Sequence, residues 1–130
     1  MEITFDGGKV VTAHLNGHKI VTDQPLDNGG TNTAPAPYDL FLASIGTCAG
    51  IYVKSFCDQR GIPTDNMRIV QSIEFDHVKR LPGAIKLDIQ VPADFPEKYK
   101  AAMINVAELC AVKKTINNPP QFEIVTTIAG

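Results

Sequence analysis

The sequence predicts an α+β domain in the order βββ-α-ββ-α-β. Three observations carry this. Alternating strand patterns flank turn pairs in the first 22 residues, two stretches beginning at Pro37 and Pro96 have helical periodicity, and a second alternating pair lies between them. At 130 residues the chain reads as one domain, residues 1–130, near the size at which a dimer interface adds to stability.

The elements follow in order. Residues 3–5 lead into Asp6-Gly7-Gly8, and the alternating run 9–15 leads through Asn16-Gly17 into residues 18–22. Asn-Gly between two such runs marks a tight hairpin, because both turn positions need positive φ. Residues 23–36 carry Gln-Pro, Asn-Gly-Gly and Ala-Pro-Ala-Pro, a loop long enough to serve as a lid or a site wall. Pro37 suits a first helical turn and Asp39 puts a carboxylate at the positive end of the helix dipole. That helix runs to Arg60-Gly61, with Pro63 just beyond. Strands follow at 68–78 and 84–91. In the second, Ile85, Leu87, Ile89 and Val91 share one face, and Lys86, Asp88 and Gln90 share the other. A second helix from Pro96 has Tyr99, Ala102, Met103, Val106, Leu109 and Cys110 at helical spacing, which sets Cys110 mid-helix. Asn117-Asn118-Pro119-Pro120 ends it, and residues 122–128 are expected as a last strand.

The first helix constrains assembly. Phe41, Leu42, Ile45, Ala49, Ile51, Tyr52, Val53 and Phe56 fall on every side of it. A helix apolar all round must be covered all round, which one sheet and one other helix in a small chain do not achieve. The expectation is a homodimer with this helix packed against a second copy.

Composition narrows the function. The formal charge is −2 and there is no Trp, so no basic field or stacking face points to nucleic acid or an anionic membrane. The opening MEITFDGGKVV lacks the basic and apolar regions of a leader. The longest apolar run, 40–53, is interrupted by Ser44 and Thr47 and falls short of the roughly 20 residues of a spanning helix. The expected setting is the cytoplasm, where three cysteines read as free thiols, a metal site or transient redox chemistry.

Cys48 and Cys110 each sit on a core-facing stripe. A thiolate attacks peroxide to give a sulfenic acid, and a second thiol can condense with it before over-oxidation. Such a pair must bring its Cα atoms within about 4.4–6.8 Å. Cys57 lies nine residues after Cys48, roughly 180° around the helix, and reads as structural. Lys113 and Lys114 follow Cys110 by three and four residues; they either favour a thiolate or complement a helix C-terminus. A metal site from Cys48, Cys110 and His14, His18 or His77 lacks paired ligand spacing, so neither metal nor cofactor is expected. No nucleophile elbow or phosphate-binding glycine loop occurs. A lone cysteine in an apolar helix is most often packing, so these residues alone leave a redox pair and inert packing both open.

Residues 36–50, APYDLFLASIGTCAG, resemble the first cysteine motif of the OsmC/Ohr family, the osmotically inducible and organic hydroperoxide resistance proteins. Residues 109–116, LCAVKKTI, resemble its second. The resemblance spans essentially the whole chain. It implies two sheets around two central helices in an intertwined homodimer with sites at the subunit interface, and a thiol peroxidase that reduces organic hydroperoxides without metal or haem. A dithiol would regenerate it. By position, Cys48 would attack the peroxide and Cys110 would resolve the sulfenic acid. Three positions depart from the family pattern. No Arg precedes Arg60 to stabilise the thiolate, leaving Lys9, His14 or Lys19 as substitutes. Tyr38, beside Asp39, stands where the family has Glu. Ala111 stands where a Pro commonly follows the second cysteine. An alternative of another class is a non-catalytic protein holding a hydrophobic or thiol-bearing small molecule; a third is an interaction dimer with unreactive thiols.

Overall fold

The computed structural model describes residues 1–129 and divides into two compact units, Met1–Ser44 and Ile45–Gly130. The first contains β1 (Glu2–Phe5), β2 (Val11–Leu15) and β3 (His18–Thr22), an antiparallel sheet in the order β1-β2-β3. The expected hairpin is present. Asn16 and Gly17 have φ of 51° and 80°, so both turn positions occupy the left-handed region that the Asn-Gly pair tolerates.

The loop after β3 is organised around one carboxylate. Asp23 is 1% exposed, and its Oδ2 accepts from the Thr31 and Thr33 hydroxyls at 2.8 and 2.7 Å. The same oxygen accepts the amides of Thr31 and Thr33, while Oδ1 accepts the amide of Gln24 at 2.7 Å. Bonds to a buried charge stabilise more than neutral ones, which explains how fourteen loop residues hold one shape. Gly30 is needed for closure, since a Cβ there would lie 1.9 Å from the Gln24 carbonyl oxygen. A short 3-10 turn, Leu26–Asn28, sits inside the loop.

Helix α1 (Pro37–Gln59) crosses from the first unit into the second. At 23 residues it is, by length and composition alone, long and apolar enough to cross a membrane, which the interrupted run of residues 40–53 had not led one to expect. Its second half instead supplies core: Ala49, Val53, Phe56 and Cys57 pack with Phe95, Met103 and Ala107. The other side is left open within the single chain, with Ile51 58% exposed.

The second unit adds β4 (Arg68–Asp76) and β5 (Leu81–Gln90), an antiparallel pair with a register shift at Glu74/Phe75. The turn between them is tighter and earlier than residues 79–83, because Asp76 accepts the amides of Val78 and Lys79 and Arg80 adopts φ 58°. The expected second helix is two helices. After a 3-10 turn at Glu97–Tyr99, α2 (Lys100–Ala107) stops, and α3 (Ala111–Asn117) starts again. Residues 118–129 form no strand within the chain. They keep the alternation of the expected last strand but leave it uncovered, with Phe122, Ile124 and Ile128 at 86, 94 and 97% exposure.

Asp23 generates a pH prediction. The Thr33 hydroxyl and amide, then the Gln24 amide and the Thr31 hydroxyl, hold its carboxyl far below the ordinary range. A depressed folded-state value contributes stability above the unfolded pKa of about 4 and loses it as pH falls through the folded value. Asp23→Asn is therefore expected to lower the melting temperature at pH 7, and thermal melts should show the gap from the parent narrowing below about pH 4.

Candidate active site

The interruption at Glu108-Leu109-Cys110 builds the site. Cys110 has φ −57° and ψ 134° and is the N-cap of α3, its Sγ accepting the Lys113 amide at 3.3 Å. An N-cap residue sits in extended conformation while its side chain satisfies one of the free amides of the first turn; here sulfur does what a hydroxyl usually does. The expectation of a mid-helix Cys110 is thus corrected: the apolar spacing runs on, but the backbone does not.

Capping by Cys110 leaves the Ala111 and Val112 amides of the first turn without an intrahelical partner. The polar groups that act on Cys48 are the Val112 amide, the Cys110 thiol and the Ala111 amide. The two sulfurs expected to pair are therefore neighbours. The Val112 amide is the main cause of a Cys48 pKa below the ordinary thiol value; burial opposes it, and the Cys110 S–H and Ala111 amide add to it. Hydrogen bonds to the charged form favour that form. Cys48 is half-buried, whereas Cys110 is fully buried. All three cysteines are free thiols.

Cys57 behaves as expected of a structural residue. It is fully buried, and burial with the neighbouring Asp58 pushes its pKa up. Lys113 acts through its amide, not its ammonium, because Nζ lies 2.5 Å from Glu108 Oε2. Lys114 contributes a carbonyl, which accepts the Asn118 amide at the end of α3. The other candidates belong to the first unit and have partners there. Asp39 Oδ2 accepts the Ala36 amide at the start of α1, Tyr38 stacks on Phe41 at 5.7 Å, and His14 Nε2 lies 3.0 Å from the Thr4 hydroxyl. Among the described residues no cluster of three His, Cys, Asp or Glu is arranged to hold a metal.

The groups missed from the sequence are the amides of Ala111 and Val112. Nothing in the side chains marks them, although Ala111 in place of Pro is a trace, since Pro has no N–H to give.

Residues 30–125 match the family described as OsmC-like protein. The chain belongs to the OsmC-like family. Solved structures agree on the fold of this OsmC-like chain. A Psychrobacter arcticus protein described as an osmotic stress induced and detoxification response protein is 22% identical, with a TM-score of 0.72 over 88% of this chain and 85% of that one. Another structure, 20% identical, reaches 0.74 over 91% and 88%. An OsmC-like protein of unknown function from Vibrio cholerae is 12% identical, with a TM-score of 0.57 over 82% and 78%. No curated protein matches this OsmC-like sequence significantly.

The site orders the thiols by reactivity. With limiting iodoacetamide, Cys48 is expected to be alkylated first and Cys57 last, read by peptide mass spectrometry. The Cys48 rate should fall as pH drops through its lowered pKa. Ala111→Pro removes one donor at a first helical position that accepts Pro, after a residue already extended. It is expected to move the Cys48 rate–pH profile upward without lowering the melting temperature.

Proposed function

We propose that this OsmC-like protein is a cytoplasmic thiol peroxidase that reduces organic hydroperoxides. The observation that carries this is a Cys48 pKa lowered by the Val112 and Ala111 amides and the neighbouring Cys110 thiol, at the capped start of α3. The Cys48 thiolate attacks the outer peroxide oxygen, the O–O bond breaks, and the alkoxide leaves and takes a proton as an alcohol. The Cys48 sulfenic acid then condenses with the Cys110 thiol, forming the disulfide and releasing water. An external dithiol returns both sulfurs to thiols while itself becoming a disulfide. The Val112 and Ala111 amides take the part a guanidinium would otherwise play, stabilising the attacking thiolate. The description of the Psychrobacter arcticus relative as a detoxification response protein supports the same reading.

The working form in this reading is a homodimer. Residues 122–128 hold an alternating apolar pattern with no strand beside it, and Val70, Ile73 and Phe75 of β4 are also exposed. Exposed edges and apolar patches of this kind are closed by a second copy.

A second reading, a non-catalytic carrier of a hydrophobic small molecule, is favoured by one observation. A cavity of about 500 Å³ lies between β5 and the α2–α3 helices, lined by Leu87, Ile89, Met103, Ile104 and Ile116 among others. That volume is in the range of small-molecule sites.

One equivalent of cumene hydroperoxide is expected to convert Cys48 and Cys110 to a disulfide. Cys110→Ser should stop at a trappable Cys48 sulfenic acid, and Cys48→Ser should consume peroxide at the uncatalysed rate. An intact Cys48 thiol beside unconsumed peroxide rejects the peroxidase. Apolar ligand co-purifying with both parent and Cys48→Ser would favour the carrier. Sedimentation is expected to give a two-chain mass, and deletion of residues 119–130 a one-chain mass.

A further inference from the structure

Of the ion pairs among the described residues, one spans the break before α3. Lys54–Asp58 and Lys100–Glu97 are four and three residues apart, the spacings at which helical side chains face each other. Glu108 and Lys113 are five apart in the chain, with Nζ 2.5 Å from Oε2. Five residues of unbroken helix would set them about 140° apart around the axis. Their contact therefore belongs to the broken form alone.

The continuous form is the alternative that the side chains leave open. Apolar spacing from Tyr99 to Cys110 runs through the break, and an unbroken helix would commit the Ala111 and Val112 amides to the Ala107 and Glu108 carbonyls, four residues back. In the broken form Glu108 is the C-cap of α2, and Lys113 gives its amide to Cys110 Sγ at 3.3 Å. The Lys114 amide then donates to the Cys110 carbonyl at 3.0 Å, as the helix resumes. Lys113 is thus held at both ends, by its amide on the cap and by its ammonium on the end of the preceding helix.

We propose that Glu108 and Lys113 form a clasp that selects the broken form, and so are positioning residues for Cys110 and for the Ala111 and Val112 amides. Resting on the reading of Cys48 as the peroxide-reacting thiol, this makes the clasp what keeps the attacking sulfur supplied with donors. A direct effect of the two charges on the thiolate would differ in sign. Through space, the Lys113 ammonium favours a thiolate and the Glu108 carboxylate opposes it, so removing them one at a time would move Cys48 in opposite directions. Opening a clasp moves Cys48 the same way from either side.

The test is the pH profile of Cys48 alkylation by iodoacetamide in the intact protein, read by peptide mass spectrometry. Glu108→Gln and Lys113→Met are each expected to move its midpoint upward and to slow alkylation at pH 7 by about threefold, the scale of a partly exposed ion pair. The exchanged pair, Glu108→Lys with Lys113→Glu, should bring the midpoint back toward the parent's. The Glu108 side chain is 62% exposed, so Gln fits there without repacking. A midpoint that falls in Glu108→Gln overturns the proposal, even if Lys113→Met fails to fold. Unmoved midpoints in the single variants, or an exchanged pair no closer to the parent than they are, also overturn it. Alkylation needs no peroxide, so the clasp and the peroxidase fail separately. Upward midpoints in a protein that leaves cumene hydroperoxide unconsumed keep the clasp and remove the peroxidase. Catalytic peroxide consumption with unmoved midpoints does the reverse.

Discussion

The Cys110 sulfur that accepts the Lys113 amide is the contact on which the site depends. It ends the continuity of what would otherwise be one helix and starts α3 with its first-turn amides free. Those amides have no intrahelical partner, so they are available to whatever α1 presents. What α1 presents is Cys48. One capping bond thus places Cys110 and the amides that lower the Cys48 pKa on the same short turn.

The groups that lower the Cys48 pKa are two backbone amides and a thiol, with no cationic side chain among them. Lys9, His14 and Lys19 were the cations available near the N-terminus, and His14 is engaged with Thr4 in the first sheet. Lys113 is neutralised by Glu108. A thiolate needs hydrogen-bond donors as much as it needs a positive charge, and backbone amides are donors that cost no side-chain entropy to aim. Ala111 allows this where Pro would not.

Burial separates the three cysteines into different chemistries. Cys57 is sealed among Phe56, Val53 and Met103, where apolar surroundings disfavour the thiolate. Cys48 lies nine residues earlier on the same helix, half-exposed and supplied with donors. The rotation of about 180° between them is enough to assign one to the core and the other to the site.

Local periodicity was sufficient for the α+β class, the Asn16-Gly17 turn, the span of α1 and the buried position of Cys57, because each depends on neighbours a few residues away. The two cysteine motifs were likewise legible as a pair. What the tertiary structure alone decided was the break before Ala111, since the apolar spacing from Tyr99 to Cys110 continues through it unchanged. It also decided that residues 122–128, patterned as a strand, have no edge to join within one chain. Backbone amides carry no signature in a sequence of side chains, and strand pairing is a contact between distant segments; both become visible only when the chain is folded.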